Sequence, residues 1–309
     1  MAERRSAQAP AGVVMIRPRH FRPNAETAAD NRFQSAAPAG DEAGLGKAAY
    51  DEVTDAAARL EAQGLRVHLF EDEAEDRPDA VFPNNWFSTH SGGHVAIYPL
   101  YAASRRRERR QDVIETLKRL YRVQDVIDYS GLEPDGLFLE GTGAMVLDHI
   151  DRVAYAVRSK RTDPVALERF CTHFNYEPLV FDATDAQRTA IYHTNVLLCI
   201  ATDFVMIGLD SIVERPRRRE IVARFEESGR EVMALTGDQI ANFAGNAMEL
   251  QGAEGRILAL STRALHSLRP DQLAVIEKSA TPLDLAIPTI ELAGGSVRCM
   301  LAGIHLSPR

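Results

Sequence analysis

Apolar and polar positions along this chain alternate between two rhythms. Short apolar runs of strand-like composition fall at Val13–Arg17, Arg66–Phe70, His94–Pro99, Ala144–Leu147, Val153–Val157, Ile191–Ile200, Phe204–Gly208 and Arg256–Leu260. Helical periodicity is read near residues 44–63, 104–121, 163–174, 214–228 and 271–279. Asp163–Pro164 is a clear helix entry, with a capping acid and then proline in the first turn. After each of the five helices comes a short strand: Leu65–Phe70, Val123–Ile127, Pro178–Asp182, Glu231–Leu235 and Pro282–Ile287. The units recur about every 50–57 residues, the range of repeated supersecondary modules, although residue identity between them is negligible. Five strand–helix units can close on themselves with sheets inward and helices outward, which leaves no sheet edge exposed. Periodicity allows that closure without requiring it. No Pro-, Gly- or Ser-rich linker divides the chain. The expectation is a flexible tail over residues 1–11 and one α/β domain over 12–309.

Composition narrows the function. A chain of 309 residues, 45% hydrophobic, can bury a sizeable core. Its net charge of −8 argues against nucleic-acid binding, which needs a basic face. The run Arg105–Arg106–Arg107–Glu108–Arg109–Arg110 opens a helical pattern with Val113, Leu117 and Leu120, and reads as a solvated helix face. No apolar stretch reaches the roughly 18–20 residues of a membrane span. Residues 1–11 lack the apolar core of a signal peptide. Three cysteines cannot all pair and their spacing gives no zinc pattern, so a reducing cytoplasm is expected. His90 and His94 flank Ser91–Gly92–Gly93, which reads as a hairpin turn and not as a metal-binding helix face. No metal or other cofactor is expected.

Three segments carry chemistry. Cys299 follows Gly294–Gly295–Ser296, where small residues leave room for an attacking thiolate. Cys199, inside Val196–Ile200, and Cys171, in a helical pattern with Leu167, Phe170 and Phe174, read instead as buried structural thiols. His193 lies in Tyr192–His193–Thr194–Asn195, and strand alternation would put His193 and Asn195 on one face. A lone histidine at an apolar strand is otherwise a core residue. Glu140 opens Glu140–Gly141–Thr142–Gly143, and a turn carboxylate capping backbone amides is the alternative there.

Glu140, His193 and the late Cys299, in this order, resemble the guanidino-group-modifying enzymes: arginine deiminases, dimethylarginine hydrolases, amidinotransferases and their relatives. The resemblance spans nearly the whole chain and is closest to hydrolases of the citrulline-utilisation type. It implies a five-bladed α/β propeller (pentein) with the active site in the central channel. It also implies a Cys299 nucleophile, a His193 general acid and base, and Glu140 orienting that histidine. Asp79–Ala80–Val81–Phe82–Pro83–Asn84–Asn85–Trp86 resembles the family's substrate loop, whose guanidinium-holding aspartate is here Asn85. A second such aspartate, two positions after the histidine, is here Asn195. The last acid of the family's Glu-Gly-Gly-Asp stretch is Gly143. Arg161, in Ser159–Lys160–Arg161–Thr162, matches an arginine that reads the substrate's α-carboxylate.

Asp79, Phe82, Asn85, Arg161, Asn195 and Asn246 are therefore the expected substrate contacts. Asn246 and Arg263 lie in loops that plain turn chemistry also explains. A guanidinium is a permanent cation with donors only, whereas a ureido group is neutral and carries both donors and an acceptor. Amides in place of two acids point to a ureido substrate. The expected activity is hydrolysis of citrulline to ornithine, carbon dioxide and ammonia. Arginine deimination, arginine dihydrolysis, amidinotransfer and a non-catalytic propeller remain as alternatives. The expected partner is a small amino acid, with self-association left open.

Overall fold

The computed structural model describes residues 6–35 and 42–309. The first unit is β1 (Gly12–Pro18), α1 (Glu42–Ala62) and β2 (Arg66–Asp72). The second is β3 (Phe87–His90), β4 (His94–Ile97), α2 (Gln111–Leu120) and β5 (Asp125–Asp128). The third begins at a short turn of helix, α3 (Gly141–Ala144), then β6 (Met145–Asp148), β7 (Val153–Val157), α4 (Pro164–Phe174) and β8 (Glu177–Phe181). The fourth is β9 (Leu198–Ile200), β10 (Phe204–Ile207), α5 (Arg215–Glu227) and β11 (Glu231–Ala234). The fifth follows α6 (Gly237–Ala241), with β12 (Met248–Gln251), β13 (Arg256–Ser261), α7 (Thr262–Ser267), α8 (Pro270–Glu277) and β14 (Thr281–Leu285). The chain ends through α9 (Val297–Met300) and β15 (Ala302–Gly303).

Each unit gives a three-stranded sheet: an antiparallel pair, then a helix crossing to a parallel third strand. The first sheet takes its antiparallel strand from the C-terminus, with Val13 opposite Gly303 and Val14 opposite Ala302. The two ends of the chain thereby close the ring. One narrow channel is lined from all five sheets, by Thr89, Leu147, Ile200, Met248 and Ala302 among others. The fold is the expected five-bladed α/β propeller. Helices pack outside by their apolar stripes, as with Ala49, Val53, Ala56 and Leu60 of α1. Asp163 caps α4 as expected, accepting from the Val165 and Ala166 amides at 2.8 and 3.3 Å. Among the described residues no helix is long and apolar enough to cross a membrane.

Three local expectations are corrected. Residues 8–10 are not a frayed tail: Gln8 is buried and donates to Leu147 and Ile200 carbonyls at 3.0 Å, while His149 N–H donates to it. Residues 1–5 lie outside the described residues. The strand expected over Ile191–Ile200 is reduced to β9, because Thr194–Val196 turns as a short 3₁₀ segment. The helix expected over 104–121 is broken at Arg109 and Arg110, which are extended. Arg109 is pulled out of line by its ion pair with Glu133, and Arg105 turns into the protein.

Three histidines lie together away from that break. His149 and His305 stack at 3.9 Å, with His90 6.5 Å from His149. Burial pushes His90 and His149 well below their usual range and His305 down to about 4. Each is neutral when folded, so as pH falls below 6.5 the unfolded chain binds the extra protons and stability drops. The thermal midpoint is expected to fall between pH 6.5 and 4, and less so in His305→Gln. Equal slopes for the two proteins would contradict this.

Candidate active site

The chain enters the inner strands through short turns: Pro83–Asn85, Gly141–Ala144, Thr194–Val196, the turn closed by the Asn246 N–H to Phe243 carbonyl bond, and Val297–Met300. Each turn brings one residue to the same mouth of the channel: Asn85, Gly143, Asn195, Asn246 and Cys299. These positions are spread through the sequence at intervals of about 50–60 residues. Ring closure makes them neighbours.

Cys299 is buried, 4% exposed, and its sulfur accepts from two amides. Asn195 Nδ2 lies 3.2 Å and Asn246 Nδ2 3.3 Å from Sγ. Asn246 also donates to the Asn195 carbonyl at 2.9 Å, which ties the two turns together. Among the described residues the side-chain oxygens of Asn195 and Asn246 are buried without a partner. Such acceptors are costly to leave unmade. The other two thiols are buried in apolar packing, which pushes both up to about 12.

His193 and Glu140 meet as expected, with Nε2 2.8 Å from Oε2. His193 stands just before the 3₁₀ turn and lines the pocket, whereas Asn195, expected beside it by strand alternation, is turned behind Cys299 and, like Asn246, is fully buried and not among the lining residues. The other Glu140 oxygen accepts from the Tyr101 N–H at 3.0 Å. Arg161 Nη1 and Arg105 Nη1 lie 3.4 and 3.6 Å from Glu140. Burial alone would raise the Glu140 pKa, but Arg161, His193 and Arg105 outweigh it and hold the carboxyl well below its usual range. His193 is driven down to about 4, mainly by burial, with Glu140 opposing and the two arginines adding to the shift. The resting pair is thus a carboxylate and a neutral imidazole. Among the described residues the His193 Nδ1 has no protein partner.

Gly143, where the family has an acid, explains itself sterically. A Cβ there would stand 2.1 Å from the end of the Asn85 side-chain amide and 2.9 Å from His193 Nδ1. Asn85 occupies that space and faces Arg105: with its oxygen turned toward the guanidinium it accepts from Nη1 and Nη2 at 3.0 and 3.1 Å. An aspartate at this position would therefore spend its charge on Arg105 before reaching a substrate.

The pocket is small and is lined by Asp79, Phe82, Asn85, Arg161, His193 and Cys299, together with Arg105, Tyr192, Thr27 and Asn31. Asp79 accepts from Asn24 at 2.8 Å and lies 3.6 Å from Arg105. Phe82 packs where Gly295 leaves no side chain, since a Cβ there would come within 2.7 Å of the ring. Trp86 and Phe87 belong to the core around Val14, Val95 and Leu117. Arg263 is exposed on α7, bonded to Asn242 and the Ala241 carbonyl, and is not among the lining residues.

Arg105 is the residue that the sequence concealed. Expected on a solvated helix face, it is instead buried and held by Glu108 at 2.8 and 2.9 Å. Burial lifts the Glu108 pKa to about 7 against the pull of Arg105. Nothing in a run of five arginines marks the one that turns inward; Glu108 three residues on is the only hint. Asn31 and Thr27, in the segment over the pocket, gave no periodic signal at all.

The structure is similar to solved pentein enzymes. The N-terminal domain of cyanobacterial ArgZ, an arginine dihydrolase solved with substrate bound, superposes with TM-score 0.72 at 16% identity over 95% of this chain and 97% of that one. Unliganded AgrE gives 0.73 at 17% identity, covering 95% of this chain and 39% of the longer one. A dimethylarginine dimethylaminohydrolase adduct with S-methyl-L-thiocitrulline gives 0.62 at 15%, over 94% and 98%. These likenesses show the fold, the five-bladed α/β propeller. A search of curated protein sequences finds no match. A sequence model described as "N,N dimethylarginine dimethylhydrolase, eukaryotic" matches residues 17–306, and the chain belongs to that family.

Proposed function

We propose that this protein hydrolyses the ureido group of citrulline, giving ornithine, carbon dioxide and ammonia. The observation that carries the reading is the set of groups around Cys299 Sγ: two asparagine amides at 3.2 and 3.3 Å and, among the described residues, no carboxylate within bonding distance. The acids nearest the pocket are already engaged, Asp79 with Arg105 and Asn24, and Glu140 with His193 and Arg161. Desolvating a guanidinium against amides alone costs on the order of several kcal/mol. A ureido group is neutral and can enter beside the Asn85 amide of the pocket wall without leaving a charge unpaired.

In this mechanism the two amides stabilise the Cys299 thiolate, which attacks the ureido carbon. His193 takes up the thiol proton and delivers it to the departing nitrogen, and the C–N bond to ornithine breaks. A carbamoyl group remains on sulfur. Water, losing a proton to His193, attacks that carbonyl and frees carbamate and the thiol. Carbamate then breaks down to carbon dioxide and ammonia. Glu140 steadies the imidazolium formed between the steps. Arg161 receives the α-carboxylate.

Arginine dihydrolysis is the second reading, supported by the Asp79 carboxylate in the pocket wall and by the activity named for ArgZ. Purified protein given L-citrulline and, separately, L-arginine decides between them. Ornithine from citrulline with little from arginine is the expected result. Ornithine from both would favour the dihydrolase, and citrulline accumulating from arginine would mean a deiminase.

A further inference from the structure

The segment from Phe21 to Ser35 roofs the pocket. It is pinned on one side by Asn24 to Asp79 and Ser104, and on the other by Asn31 Nδ2 to the Ala293 carbonyl at 2.9 Å. Between these pins, Asp30 reaches down to Arg161, its Oδ1 bonded to Nη2. Arg161 thus carries two carboxylates of different kinds. Glu140 comes from the pocket floor, is sealed from solvent, and is committed to His193. Asp30 comes from the roof and keeps 25% of its side chain exposed. Beside it, Asn31 lines the pocket and leaves its side-chain oxygen buried, with no partner among the described residues.

We propose that Asp30 binds the α-ammonium group of the substrate, and that the Asp30–Arg161 ion pair is the template into which a free α-amino acid inserts. This rests on the reading that Arg161 takes the α-carboxylate. The two charges of an amino acid sit on one carbon, so the groups that receive them must themselves lie side by side. A cation and an anion already in contact meet that requirement. Insertion replaces one ion pair by two and leaves the net charge of the pocket unchanged, so no charge is stranded in a desolvated site. The unpartnered Asn31 oxygen supplies a further acceptor for the three ammonium protons. The same device discriminates: a ligand without the ammonium must break Asp30 from Arg161 and offer nothing in return. The enzyme would therefore be selective for free amino acids over ureido acids, ureido amines and Nα-acylated substrates.

The test pairs an enzyme change with a substrate change. Wild type and Asp30→Asn are assayed with citrulline and with 5-ureidopentanoic acid, which is citrulline without its amino group. In Asp30→Asn, KM for citrulline is expected to rise ~10–50-fold with kcat within a few-fold, the worth of one charge-assisted contact. Turnover of 5-ureidopentanoic acid, weak in the wild type, is expected to be unchanged or improved. Asp30→Glu should recover part of the citrulline affinity. Equal losses on both substrates would show that Asp30 only holds the roof in place, and no loss on either would show that it does nothing in binding; each result overturns the proposal. Should the protein turn over arginine and not citrulline, the same comparison with 5-guanidinopentanoic acid tests Asp30 independently of the ureido assignment.

Discussion

Cys299→Ala is expected to lose ornithine formation by at least ~10⁴-fold, with the fold and thermal midpoint nearly unchanged. The loss is large because no other group at the site can form the covalent intermediate. Cys171 and Cys199 are held by burial at pKa values of about 12, where essentially no thiolate exists near neutrality, and neither lines the pocket. The midpoint should fall little, because losing one sulfur strands only the Asn195 amide, while Asn246 keeps its bond to the Asn195 carbonyl. Alkylation at neutral pH is expected to label Cys299 alone, and bound substrate should slow it. The measurement is product formation by variant and wild type, with mass mapping of the labelled thiol. Activity surviving in Cys299→Ala would end the covalent scheme.

Glu140→Gln should damage both catalysis and stability. The carboxylate is shared by His193 at 2.8 Å, Arg161 at 3.4 Å and Arg105 at 3.6 Å, all buried. Glutamine keeps the volume but removes the one negative charge common to these three. Leaving a buried guanidinium short of its partner costs about 3–5 kcal/mol. Catalysis should suffer separately: with Glu140 neutral, nothing opposes the burial that already drives His193 down to about 4. The imidazolium needed to protonate the leaving nitrogen is then harder to form, and kcat should fall ~10²–10³-fold with a smaller change in KM. Urea denaturation and steady-state kinetics on the same preparation check both halves. A variant with wild-type kcat would remove Glu140 from the mechanism, even if its stability had dropped.

The sequence determined much of this protein. Alternating strand and helix patterns at a regular interval gave the five units, and the helix at Asp163–Pro164 began where capping chemistry requires. Glu140, His193 and Cys299 could be named because chemistry restricts which residue types can serve as acid, base and nucleophile. The replacement of acids by Asn85 and Asn195 was equally readable, since an amide and a carboxylate differ in the letter itself.

Only the tertiary structure decided how those residues meet. Closure of β15 on β1 is a contact between the chain's two ends, and no local pattern encodes it. The inward turn of Arg105 depends on Glu108 of its own turn and on buried acids from two other segments, Asp79 and Glu140, so its run of arginines looked like any solvated helix face. The same holds for Gly143, whose lack of a side chain matters because Asn85, from another blade, occupies the space. Asp30 acquires its place over Arg161 only when the roof is pinned across the channel mouth. Local propensity acts over a few residues and can be read in order along the chain. Charge balance in a desolvated pocket is summed over neighbours in space, and it exists only once the ring has closed.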